Sequence, residues 1–388
     1  MNLANVRDEI HGKENKDSGK VEMTAKRSSG SYQDAGVDTE REEEGLKLLV
    51  SRIKKTWPSG EGFGSVKLDI GFFANVIDLG GIGLAISADG VGSKVLVAQM
   101  MGKYDTVGID CVAMNVNDIL CVGARPVSMV DYIAIQEAKP RLLDEIAIGL
   151  CEGAKMANIS ISGGEIAQLQ DIINGQEEGY GFDLAGMAVG TVALDKFIIG
   201  KNIDDGDVII GLESNGIHSN GATLARRTFF QQNNFTIQSE FSELDCPLGE
   251  ELLKPTHIYV KEIMEMLDLG LAIKALVHIT SDGFLNLTRG VSAVAYHIEE
   301  LPPIPPIFEL IQKYGRIPDE EMFRVYNMGI GFCILVSPKD ADRVISIARS
   351  HGKRARRIGY ATPDELRRVY VGEKGLVGQG KRFEKAKG

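Results

Sequence analysis

Three short apolar runs in this chain end abruptly on glycine-flanked polar residues, and this constrains the fold more than any other feature. Gly83–Ser87 runs into ADGVGSK (88–94), the segment before Gly163 and Gly164 presents Glu165, and Asp207–Leu212 runs into ESNGIHSNG (213–221). A strand that ends in bare backbone and then turns into a helix leaves its loop amides free to face an anion. The chain is therefore expected to hold loops at strand ends around a phosphorylated ligand.

The pattern between these loops predicts two halves. In the first, Glu40–Thr56 has helical spacing through Leu46, Leu49, Val50 and Ile53, and Pro58 follows it. A glycine-rich turn at 60–64 leads to a hairpin-like stretch near Phe72–Ile77. Helices are expected over Ser93–Met101, Asp110–Val122 with Asp110 as N-cap, and Arg141–Ala157. Pro126–Ile135 and Phe182–Ala193 read as strands. In the second half the expected strands are Asp207–Leu212, Leu276–Thr280 and Gly331–Val336, and the expected helices Asn220–Gln231, Thr256–Leu267 and Ala341–His351. The segment Leu301–Pro306 is a polyproline-like connector.

Strands often follow one another directly, which predicts an α+β design of two α/β-type domains rather than a regular doubly wound sheet. The expected division is a polar, disordered extension at 1–30, a nucleotide-binding and dimerisation domain at 31–200, and a completing domain at 201–388.

At 388 residues and 44% hydrophobic, the chain has ample material for two cores. Its net charge of −11 argues against a nucleic-acid partner, because phosphate neutralisation needs a surplus of Lys and Arg. No apolar run approaches the roughly 18 residues that cross a bilayer. The five cysteines are scattered without a CxxC pair, as expected of buried thiols in a reducing cytoplasm.

Three acidic positions share a chemistry. In ADGVGSK, Asp89 stands at a strand tip, Gly90 and Gly92 allow close backbone approach, and Ser93 and Lys94 open a helix; the set suits ATP with Mg²⁺. The spacing is not that of a Walker A loop. Asn117 and Asp118 lie on a helix with apolar neighbours, where a carboxylate needs a partner. Glu165 follows Gly163 and Gly164. A tight turn or a surface charge explains each acid singly, whereas three at the edges of apolar elements point to a metal. Ser219 and Asn220, in the loop that carries His218, could hold a phosphate or ribose, and His278 lies at a strand end before the glycine turn of VHITSDGF (277–284).

SYQDAGVD (31–38), SADGVGSK (87–94), GIDCVAMNVNDIL (108–120), GARP (123–126), SGGE (162–165), GIHSNG (216–221), KPTHIYVK (254–261) and YNMGIGF (326–332) occur in order. Together they resemble the phosphoribosylformylglycinamidine cyclo-ligases, the aminoimidazole ribonucleotide synthetases of purine biosynthesis. The resemblance implies a homodimer whose N-terminal sheets pair into a shared barrel, and ATP-driven closure of an imidazole ring. It places Asp89, Asp118 and Glu165 on nucleotide–metal positions, Lys54 on a phosphate-contacting lysine, and His218 and His278 on substrate loops. Two segments depart from the family pattern: Ser281–Asp282 replace glycines, and 166–171 lack the usual hydroxyl, acid and Pro-Gly turn. Two other readings stay open. One is a sister ATP-using enzyme such as selenophosphate synthetase, thiamine-phosphate kinase or the hydrogenase maturation dehydratase; the absence of Cys from residues 1–64 argues against the first. The other is a non-catalytic nucleotide-binding subunit.

Overall fold

A computed structural model describes residues 39–386, with side chains from residue 44 onward. The tail expected at 1–30 and the SYQDAGVD motif lie outside the described residues.

The first half opens with helix α1 (Thr39–Ile53) and then forms a hairpin of β1 (Asn75–Asp78) and β2 (Ile82–Gly90). Next come α2 (Lys94–Met101), α3 (Val107–Cys121), β3 (Arg125–Ile135), α4 (Pro140–Ala157), β4 (Ser160–Gln168) and β5 (Phe182–Ala193). The five strands make one sheet in the order β1-β2-β5-β3-β4, antiparallel except for the β3/β4 pair.

The second half contains β6 (Val208–Glu213), α5 (Ala222–Arg226), α6 (Leu248–Leu253), α7 (Val260–Asp268), β7 (Ile273–His278) and β8 (Val294–Ile298). It continues through α8 (Pro306–Gly315), α9 (Asp319–Val325), β9 (Ile330–Val336), α10 (Ala341–Ser350) and β10 (Ala355–Pro363). Three short strands close it: β11 (Val369–Val371), β12 (Leu376–Gln379) and β13 (Arg382–Lys385). All eight strands join one sheet in the order β13-β12-β11-β8-β10-β6-β9-β7. The mixed α/β architecture with two sheets agrees with the expected α+β class.

Strand β9, IGFCILV, is buried at every position because it is flanked by β6 and β7 and covered on both faces. Strand β5 alternates instead: even-numbered residues are buried and odd-numbered ones are open. Helices cover one face of this sheet only. The covering helix is α3, packed against β2, β5 and α4 and reaching β7 and α7 of the second half. It crosses α4 at a pair of glycines, where a Cβ on Gly108 would overlap the Leu150 backbone and one on Gly149 the Asp105 carbonyl.

Several boundaries differ from the sequence reading, each for a local reason. Helix α3 is capped at Thr106, which leaves Asp110 inside the first turn, fully buried, instead of at the N-cap. The helix expected from Thr256 begins only at Val260, because 254–259 is spent on hydrogen bonds to α3. Helix α5 passes into a π-helical turn over Arg227–Gln232. The SGGE segment does not end a strand; β4 continues through it to Gln168 by pairing with β3.

Candidate active site

The site begins with a buried ion pair. Lys94 and Asp110 are both fully enclosed, and the ammonium lies 2.9 Å from the carboxylate Oδ2. Lys94 Nζ also donates to the Lys254 carbonyl at 2.6 Å. Asp110 Oδ1 accepts from the Thr256 amide at 2.7 Å and the Thr256 hydroxyl at 2.6 Å. Two turns further along α3, Asn117 donates to the His257 carbonyl at 2.8 Å and accepts from the Tyr259 amide at 3.1 Å. The KPTHIYVK segment is thus stitched along α3. Burial lowers the Lys94 pKa, and Asp110 opposes that shift. Removing one member of such a pair would strand the other charge, at a cost of about 3–5 kcal/mol.

This stitching positions the acids. Asp89, at the end of β2, is tied to α3 by paired bonds with Asn115, its amide donating at 3.0 Å and its carbonyl accepting at 3.1 Å. Burial, and then the charge of Asp118, raise the Asp89 carboxyl to about 6. Asp118 is fixed in turn by His278, whose Nδ1 lies 2.9 Å from Oδ1. Asn117 Nδ2 approaches His278 Nε2 at 3.4 Å, which selects the tautomer with the proton on Nδ1. Asp89 ends on a polar opening and Asp118 stands behind it, two repelling carboxylates whose hard oxygens suit Mg²⁺.

The opening is a cavity of about 180 Å³ between two loops, lined by Asp89, Gly92 and Ser93 on one side and Ser219, Asn220 and Thr223 on the other. Gly92 has φ of 69°, with open space where a Cβ would stand. The two loops meet at Ser93 Oγ and Thr223 Oγ1, 2.6 Å apart. His218 is held in the left-handed region at φ 60°, a strain that marks built loops. Its Nε2 accepts from the Asn215 amide at 3.1 Å, while its buried Nδ1 has no hydrogen-bond partner among the described residues. Burial keeps it well below the usual histidine pKa.

Asp89, Gly90, Ser93, Ser219 and Asn220 therefore line one cleft, with Asp118 and His278 behind them. Other expected residues are elsewhere. Lys94 is turned away from the cleft onto Asp110 and the Lys254 carbonyl, and the Asn117 amide onto His257 and Tyr259 of the second half. Glu165 does not join Asp89 within one chain. The cross-strand row Asp89–Gly186–Asp131–Gly164 shares the helix-covered face, whereas Gly90–Ala185–Tyr132–Glu165 shares the open face. Three strand spacings, about 14 Å, also separate β2 from β4. Gly163 and Gly164 belong to β4 and not to a loop. Lys54 is paired with Asp69 beside Trp57. Among the described residues no three His, Cys, Asp or Glu side chains are grouped as a metal site. Of the expected convergence of three carboxylates and Lys54, the single chain brings Asp89 and Asp118 near one another, with Glu165 on the opposite face of the sheet and Lys54 against Asp69.

Two residues were missed. Asp131 lies on the Asp89 row with its carboxyl raised by burial; its only sequence signal is an acid inside a β-rich run. His257 lies 6.0 Å from His218, ring to ring, and is lowered to about 4 by burial and then by Lys353.

Residues 73–192 match the N-terminal domain model of AIR synthase related proteins, and residues 204–372 match the C-terminal one. The fold is shared with the thiamine-monophosphate kinase of Stenotrophomonas maltophilia, at TM-score 0.57 and 20% identity over 79% of this chain and 91% of that one. It is also shared with the hydrogenase maturation protein HypE in complex with ATP, at TM-score 0.56 and 18% identity over 78% and 85%. The class is thus an AIR synthase related protein. The chain is 45% identical to the phosphoribosylformylglycinamidine cyclo-ligase of Methanobrevibacter smithii over 86% of its own length and 95% of that protein. It belongs to the phosphoribosylformylglycinamidine cyclo-ligase family.

The Asp89 carboxyl binds its proton more tightly in the folded protein, at about 6, than at its ordinary value of 3.8. Stability therefore falls as pH rises through that window. In metal-free protein, Asp89→Asn is expected to be more stable than the parent above pH 7, by on the order of 2 kcal/mol. The advantage should shrink as pH falls towards 4. Urea denaturation across this range checks the prediction, and a pH-independent difference would contradict it.

Proposed function

We propose that this chain catalyses the ATP-dependent closure of formylglycinamidine ribonucleotide to aminoimidazole ribonucleotide, with release of ADP and phosphate. The observation that carries this reading is near-full-length similarity to a named cyclo-ligase, combined with Asp89 facing a hydroxyl-lined loop across one cleft and Asp118 close behind it. The related fold solved with ATP bound supports ATP as the co-substrate.

The chemistry asks for placement more than for covalent catalysis. The phosphates would lie against the Gly90–Ser93 backbone. Ser219 and Asn220 would hold the ribonucleotide from the opposite loop, so that the amide oxygen faces the γ-phosphate and the amidine nitrogen faces the ring-closing carbon. Asp89 and Asp118 would hold Mg²⁺, with His278 orienting Asp118. Bound there, Mg²⁺ would offset the negative charge that builds on the transferring phosphoryl oxygens.

The departure at Ser281–Asp282 is accommodated without loss of these groups. Ser281 donates to the Asn220 side chain at 2.9 Å, and Asp282 has Arg289 at 3.9 Å to offset its charge. No feature of the cleft favours a non-catalytic subunit.

The open face of the first sheet supports a homodimer. Ile82, Tyr132 and Met187 stand on it with 56%, 43% and 40% of their surface exposed. Two such faces packed together would form the expected barrel and would bring Glu165 to the interface instead of beside Asp89. In this reading 31–200 is the nucleotide-binding and dimerisation domain, 201–388 completes the site, and the protein works in the cytoplasm.

ADP release is expected only with formylglycinamidine ribonucleotide present, and Asp89→Asn should lose at least about 100-fold in turnover. A coupled ADP assay checks this, and substrate-independent ADP release or an unimpaired variant would refute it. Met187→Lys should convert a dimer into monomers in sedimentation velocity, with far-ultraviolet dichroism unchanged.

A further inference from the structure

Glu213 ends β6, one residue before the loop that carries His218. Its side chain lines a second, open cleft of about 330 Å³, shared with Arg349, Lys353, Arg354 and Arg356. The cleft therefore presents four basic residues and one carboxylate on a chain whose overall charge is −11. One acid cannot balance four cations.

Arg349 spends Nη2 on the Ala355 carbonyl at 3.1 Å, whereas Arg354 and Arg356 are less engaged. Arg354 uses Nε, 3.0 Å from Glu213 Oε2, and its side chain is 80% exposed. Arg356 reaches only to 3.9 Å from Glu213, an ion-pair separation too long for a hydrogen bond. Their terminal guanidinium nitrogens form the fork that receives phosphate oxygens in pairs. Lys353 is largely buried and lies over the Tyr259 ring at 5.4 Å. Glu262, buried nearby, faces Lys353 and opposes the lowering that burial imposes on it, but it does not line the cleft. The surplus is felt beyond the cleft: Lys353 and Arg354 both push the neighbouring His257 down.

We propose that this cleft is a second anion-binding site, distinct from the glycine-loop cleft, that receives the diphosphate group of a small ligand. A monovalent anion would leave most of the positive surplus uncancelled, whereas a diphosphate matches it and spans two guanidinium forks. Glu213 acts as the resident counter-ion that holds Arg354 and Arg356 in place until the ligand replaces it.

The test uses the full chain and inorganic pyrophosphate, titrated by calorimetry. The double variant Arg354→Gln/Arg356→Gln should bind about tenfold more weakly than the parent. Glu213→Gln, which removes the competing carboxylate, should bind more tightly. Phenylglyoxal modification read by mass spectrometry locates the site, because bound pyrophosphate should protect Arg354 and Arg356. Protection by ADP as well would make the ligand a nucleotide, and protection by pyrophosphate alone would make it inorganic. Undiminished binding in the double variant, or no protection of either arginine by either ligand, overturns the proposal.

Discussion

The Lys94–Asp110 ion pair is the constraint on which the rest of the structure depends. Both groups come from the first half, and from the second the Lys254 carbonyl accepts from Lys94 while the Thr256 amide and hydroxyl donate to Asp110 Oδ1. A charge pair with no solvent is tolerable only when every partner is present. Docking of the two halves is therefore a condition for burying this pair at all. The same contact fixes the entry to α7 and, through Asn117, brings His278 onto Asp118.

The functional cleft follows from that docking. Asp89 and its glycine loop belong to β2 and the start of α2, whereas Ser219 and Asn220 belong to the loop after β6. Neither loop can define a pocket alone. Helix α3 serves both, holding Asp89 through Asn115 and the second half through Asp110 and Asn117. The acids that repel one another are consequently held at the seam, Asp89 by Asn115 of α3 and Asp118 by His278. That arrangement suits a site whose work is to position phosphates and a cation.

Much of this was legible in the sequence. The strand-to-loop junctions at Asp89 and His218 lie where apolar runs stop at glycines, and the motifs named the family before any coordinates. Lys94 was not legible, because a lysine beside a glycine loop reads equally as a phosphate ligand and as a buried partner; only the arrival of Asp110 and Lys254 decides between them. The placement of Glu165 was not legible for a different reason. Its side of the sheet is set by register across three strands, and a local motif carries no information about that order. Asp131 and His257 were hidden similarly, the first by strand pairing and the second by a fold-back of 254–259 onto α3 that resembles a helix in its spacing.

The most direct test of this account is hydrogen exchange of the Thr256 amide, which donates to Asp110 from across the seam. If the buried pair holds the halves together, that amide should exchange only on global unfolding, with protection equal to that of the α3 core. Exchange through a low-energy local opening, while α3 stays protected, would show that the halves separate without breaking the pair and would contradict the account.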